Sequence, residues 1–126
     1  MSDFFRGVTD LRRLLRATGF SLAGLEAALR HEAAFRQEII LFVILAPLGV
    51  WLGQSGIERA LLVGSLFIVL IVELLNSAIE TTVDRIGRKR NKLSGRAKDM
   101  GSAAVLLSII LAIVVWALIL FGPGRA

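Results

Sequence analysis

The chain has 126 residues, a hydrophobic fraction of 56%, a mean hydropathy of +0.74 and a formal net charge of +5. That length bounds it to one domain, the hydropathy excludes an ordinary water-soluble globule, and the absence of cysteine excludes a disulfide framework, a thiolate nucleophile and a cysteine metal site. The positive charge does not call for nucleic acid, because the basic residues flank apolar runs, where membrane orientation and anionic head groups account for them.

The first 30 residues carry five arginines and no compact apolar segment followed by a small-residue cleavage site, so they do not read as a cleavable signal peptide. Residues 8–30 read as an amphipathic helix. Val8, Leu11, Leu15, Leu22, Leu25 and Leu29 recur at helical steps, while Arg12, Arg13 and Arg16 mostly point elsewhere. A basic amphipathic segment of this kind lies in the membrane interface rather than crossing it. Thr18, Gly19 and Ser21 predict a break into two shorter helices. The cluster HEAAFRQE, His31 to Glu38, then leads into an apolar run. Glu32 and Arg36 stand four apart, the spacing of an ion pair along one helix. His31 has no second histidine to complete a metal site and reads as a surface residue.

Three spans are expected, at about residues 36–53, 57–87 and 99–122. Ile39 to Ile57 carries no formal charge over 19 residues, enough for about 28 Å of helix. Pro47 marks a site for a kink, and Gly49-x-x-x-Gly53 a site where another helix approaches closely. Gly53-Gln54-Ser55-Gly56 is too short for anything but an antiparallel return. The second helix starts near Ile57 or Glu58 and runs past Glu80, and Met100 to Gly124 is uncharged over 25 residues. Thirteen of the fifteen basic residues precede the first span or fill the loop between the second and third; only Arg59 and Arg125 lie on the other side. By the positive-inside rule the N-terminus and the loop 85–98 are cytoplasmic, and the C-terminus is outside.

The stretch Ile71 to Asp84 carries the chemistry. Glu73, Asn76, Glu80 and Asp84 recur at steps of three, four and four, so on a helix they fall within roughly 80° of one another. Carboxylates are costly at membrane depth, and a row of them entering a span points to function. From Ile57 to Glu73 is about 24 Å of helix against a hydrocarbon core of about 30 Å, which sets Glu73 near the inner edge, with Glu80 and Asp84 beyond it toward the cytosol. Glu32 comes to the same level, and Lys98 and Asp99 immediately precede the third span. Paired carboxylates with phosphate oxygens suit magnesium, a further carboxylate at lipid level suits proton abstraction from a membrane-embedded hydroxyl, and the cations suit a polyphosphate. Together these suit phosphoryl transfer to a lipid, although no G-x-x-x-x-G-K-[ST] loop or kinase catalytic-loop motif is present. Two other readings stand beside it: a non-enzymatic ion or proton pathway, and interhelical polar pairing.

Three blocks, EAAFRQE (Glu32 to Glu38), VELLNSAIE with VDRIG (Val72 to Gly87) and LSGRAKDMGSAAV (Leu93 to Val105), resemble the prokaryotic integral-membrane diacylglycerol kinase family in order and spacing. The resemblance covers nearly the whole chain. It implies an all-α membrane protein of the bacterial inner membrane, with three transmembrane helices plus an N-terminal amphipathic surface helix, assembled as a homotrimer with active sites shared between subunits. It further implies transfer of the γ-phosphoryl group of magnesium-ATP to diacylglycerol, giving phosphatidic acid. On this resemblance Glu73 is the general base, Glu32 and Glu80 hold Mg2+, and Asn76 supports the base. Arg13, Phe20, Glu32, Glu80, Lys89, Arg90, Asn91, Lys98 and Asp99 match nucleotide positions. Phe35, Arg36, Gln37, Glu38, Glu73, Ser102 and Trp116 match positions around the lipid. Phe20 lacks the hydroxyl of the tyrosine found in some members, and Lys89-Arg90-Asn91 is more basic than the enterobacterial loop. A related branch phosphorylates undecaprenol; the EAAFRQE and AKDMGSAAV wording is closer to the diacylglycerol branch. Asp84 has no role in this scheme beyond pairing with Arg85 or Arg88.

Overall fold

The computed structural model describes residues 2–8, 10–87 and 91–125. These form α1 (Ser2–Val8), α2 (Leu11–His31), α3 (Ala33–Leu52), α4 (Gly56–Ile86) and α5 (Lys92–Phe121), with no strand among the described residues. Three of the four long helices, α2, α4 and α5, start where a short polar side chain satisfies a first-turn N–H group; α3 starts at Glu32 without a side-chain cap. Asp10 accepts from Arg12 N at 3.1 Å, Ser55 from Glu58 N at 3.1 Å, and Asn91 from Leu93 N at 2.8 Å.

The break expected at Gly19 is absent: α2 runs unbroken for 21 residues. A single internal glycine costs only about 1 kcal/mol of helix propensity. The neighbouring hydroxyls bond back within the helix, Thr18 to Leu14 O at 2.9 Å and Ser21 to Ala17 O at 3.0 Å. The chain turns instead at Glu32, which is extended (φ −115°, ψ 106°) and serves as both the C-cap of α2 and the N-cap of α3. That corner also cancels the expected Glu32–Arg36 pair. The Arg36 guanidinium reaches back to the last carbonyls of α2, Leu29 O and Arg30 O, both at 3.0 Å. Helix-end carbonyls lack intrahelical donors, and a cation beside them also suits the dipole.

Helices α3, α4 and α5 are each long and apolar enough to cross a membrane. α3 continues through Pro47, returns through the tight turn at 53–55, and packs against α4, which lies between α3 and α5. In lipid, helices associate through close packing rather than through escape from water, and small residues set the closest approaches. Gly49 is such a point: a Cβ there would stand 3.3 Å from both Leu62 Cβ and Trp116 Cζ2. The Trp116 indole N–H donates to Leu62 O at 3.1 Å, tying α5 to α4. Ala28, Phe35 and Leu70 form a small core joining α2, α3 and α4, and Phe42 meets Phe67 edge-on at 4.7 Å. Large apolar side chains such as Val43, Trp51, Leu107 and Leu118 stay exposed around the outside, as hydrocarbon-facing residues do.

At the turn end of the bundle two arginines close the last turn of α3. Arg59 Nε donates to Val50 O at 2.9 Å. Arg125 donates to Leu52 O and to Ile119 O, and pairs with Glu58 at 2.6 Å. Glu58 in turn accepts from Gln54 N at 3.0 Å, so one carboxylate and two guanidinium groups tie α3, α4 and the end of α5 together.

Candidate active site

The polar residues gather at the opposite, loop end. Within α4, Glu73 is 5% exposed, Asn76 8% and Ser77 7%, in a chain that leaves most of its large apolar side chains uncovered. The sequence achieves this by periodicity alone: one face of α4 turns polar where α2, α3 and α5 converge on it. Glu38, Glu80 and Glu32 lie near enough for their charges to bear on Glu73. No cation pairs with Glu73 among the described residues. Three carboxylates, drawn from the α2–α3 corner, α3 and α4, thus share the electrostatic neighbourhood of the buried Glu73.

Glu38, a lipid-side position by the family resemblance, also belongs to this carboxylate group. A signal was present: counted from the short turn, Glu38 and Glu73 stand about 21 Å and 26 Å along their antiparallel helices. Glu38 also lines an apolar crevice of about 220 Å³ with Phe42, Leu66, Val69 and Ile113. That crevice continues through Leu45, Leu66 and Ala112 toward Trp116 and Phe121. Val69 lies one helical turn from Glu73, so the crevice leads from the middle of the bundle to the carboxylates.

A second hollow, a groove of about 780 Å³ between α2 and α4, is lined chiefly by apolar residues such as Leu25, Ala28 and Leu74, with Ser77, Thr81 and Glu32 among its polar members. Arg13 and Phe20 stand on the exposed surface of α2, outside the residues that line it. Asn76 packs against α5: a Cβ at Gly101 would overlap its Oδ1, and that oxygen has no hydrogen-bond partner. Lys98 donates to Asp84 Oδ1 at 2.6 Å, where sequence led to a pairing with Arg85 or Arg88; Arg88 lies outside the described residues. Asp99 lines a shallow hollow on α5 with Asn91, Lys92 and Arg96. Asn91 itself caps α5, while Lys89 and Arg90 lie outside the described residues.

Among the residues matched to lipid, Phe35 is only 1% exposed and belongs to the core with Ala28 and Leu70. Arg36 is engaged with the α2 carbonyls, Gln37 and Ser102 are exposed, and Trp116 lines the crevice while its indole N–H is held by α4. No three histidine, aspartate or glutamate side chains among the described residues form a ready metal cage. Glu32 and Glu80 supply carboxylates near Glu73; an ion of the magnesium type takes only one or two such groups and completes its shell with water and phosphate oxygens.

Fold and site together define a multi-pass helical membrane protein with a carboxylate-rich site at one end of its bundle. The family model for prokaryotic diacylglycerol kinase matches residues 19–120. The chain is 54% identical over 118 residues to a diacylglycerol kinase of Pseudomonas aeruginosa, covering 94% of this chain and 96% of that one. It is 50% identical over 113 residues to the diacylglycerol kinase of Escherichia coli strain K12 (90% and 93% covered), and 38% identical over 118 residues to one from Helicobacter pylori (92% of each). The chain belongs to the prokaryotic diacylglycerol kinase family.

Proposed function

We propose that this protein transfers the γ-phosphoryl group of ATP directly to diacylglycerol, making phosphatidic acid, with Glu73 as the general base. The observation that carries this reading is Glu73 itself: a buried carboxylate without a cation partner, one turn from an apolar crevice and surrounded by other carboxylates. The crevice suits an acyl chain, and the end near Glu73 suits the glycerol hydroxyl whose proton must leave as the phosphorus–oxygen bond forms. Glu32 and Glu80 would hold magnesium, which supplies charge neutralisation for the phosphates when bound. Lys98 and Asp99 belong to the nucleotide side, with the basic loop residues beside them, and Asn76 supports the helix turn that carries the base. The bias of basic residues supports a cytoplasmic loop end, where ATP is available, and the family resemblance supports a homotrimer with shared sites.

A non-enzymatic proton or ion pathway fits less well. Between Glu58 and Glu73, α4 carries no acidic residue, and Glu58 is already engaged by Arg125. The Ser65 and Ser108 hydroxyls donate to Leu62 O and Val105 O within their own helices, so no polar chain crosses the core among the described residues. The deciding experiment offers purified protein labelled ATP with diacylglycerol and undecaprenol in mixed micelles. Labelled phosphatidic acid is expected; labelled undecaprenyl phosphate would move the protein to the other branch, and neither product would leave a non-enzymatic role. In the same assay Glu73→Gln is expected to lower turnover by at least about 100-fold, the scale of a lost general base, while ATP binding persists. Glu32→Gln and Glu80→Gln are each expected to weaken magnesium-ATP binding; an unchanged magnesium dependence in both would remove them as metal ligands.

A further inference from the structure

Asp84 is the member of the α4 stripe to which the proposed chemistry gives no task. Its Oδ1 accepts a hydrogen bond of 2.6 Å from the Lys98 ammonium, which lies on another helix. The pair joins the last turns of α4 to the second turn of α5, across the loop that separates them. Both side chains stay partly open to water, 40% for Lys98 and 45% for Asp84. Exposed ion pairs contribute little to folding stability, so this contact matters chiefly for where it places the ammonium. A lysine has four rotatable carbons and loses much rotamer freedom when it must be ordered for binding. Here that ordering is done before any ligand arrives. The ammonium has three donors, of which Asp84 takes one and leaves two.

The position thus held is specific. Asp84 lies one helical turn beyond Glu80 on the same stripe, about 6 Å along the axis. The register of α5 against α4 is fixed one turn further in, where Gly101 meets Asn76 so closely that an added Cβ would overlap Oδ1 and stand 3.2 Å from Cγ. Lys98 is therefore anchored from two directions, by its own ion pair and by the seating of its helix.

We propose that Asp84 is a positioning residue for the phosphoryl transfer: it presets the Lys98 ammonium beside the Glu80 end of α4, with two free donors for the polyphosphate of the nucleotide. This inference rests on the kinase reading of the site. Its test is steady-state kinetics of the full chain in lipid mixed micelles for the parent, Asp84→Asn, Asp84→Glu, and the exchange Asp84→Lys with Lys98→Asp. Asp84→Asn is expected to raise KM for ATP about three- to tenfold, the range that ordering one long side chain is worth, with KM for diacylglycerol and the thermal midpoint at parental values. Asp84→Glu keeps the charge and is expected to recover most of the loss. The exchange rebuilds the ion pair but sets a carboxylate where the cation stood, so its KM for ATP should stay raised. The inference is overturned by an unchanged KM for ATP in Asp84→Asn, by a parental KM in the exchange variant, or by a lowered thermal midpoint that accounts for the whole effect. A parent protein with no lipid-dependent ATP consumption would sink the kinase reading at the control, before any variant is compared.

Discussion

Asn76 sits at the tightest point of the site. It is buried beside α5, its Oδ1 lacks a hydrogen-bond partner, and the space it occupies exists because position 101 is glycine. Gly101→Ala would push the Asn76 amide or part the two helices, an overpacking cost of about 1–3 kcal/mol. A lowered thermal midpoint together with reduced turnover is the expected result, since Asn76 and Glu73 lie one turn apart on the same face; an unchanged midpoint would show that the amide moves aside freely. The stripe of Glu73, Asn76, Glu80 and Asp84 was legible in the sequence because helical periodicity alone sets which side chains share a face. The contacts of its members were not. The meeting of Asn76 with Gly101 and of Asp84 with Lys98 each depends on how separate helices are seated. A three- or four-residue step carries no information about that. Phe35 shows the converse, a residue inside a family motif whose place is the packed core.

The elements themselves follow from composition with few surprises, and the surprises have local causes. Apolar runs mark α3, α4 and α5, and short polar residues, Ser55 and Asn91, mark the starts of α4 and α5. Gly19 misled because propensity is a weak prior: a long helix absorbs one glycine, and Thr18 and Ser21 direct their hydroxyls to carbonyls one turn back. The real corner, at Glu32, carries no glycine or proline and is held from a distance. Arg36 closes the end of α2 through two carbonyls, a contact that spans the corner and so escapes any reading along a single helix. Arg36→Ala is expected to cost about 1 kcal/mol locally. Hydrogen exchange would show it as faster exchange in the last turn of α2, with α4 unaffected; equal protection in the variant would mean that packing of Ala28 on Phe35 holds the corner by itself.

At the scale of the molecule, the two ends of the bundle are built for different ends. The turn end is closed by Arg59, Arg125 and Glu58, which hold α3, α4 and α5 as one body, while at the loop end no cation pairs with Glu73 or Glu80 among the described residues and Asp84 is paired with Lys98. α4 runs through both. Its 31 residues measure about 46 Å, roughly 16 Å more than the hydrocarbon it crosses. With the turn end locked, the helices cannot slide past one another to fit a different membrane; tilt is what remains to them. On that geometry the level of Glu73 relative to a lipid hydroxyl should follow bilayer thickness, and turnover is expected to rise to a maximum and fall again across a series of phosphatidylcholine bilayers of increasing chain length. A flat profile would mean that the substrate, rather than the helix, makes the adjustment.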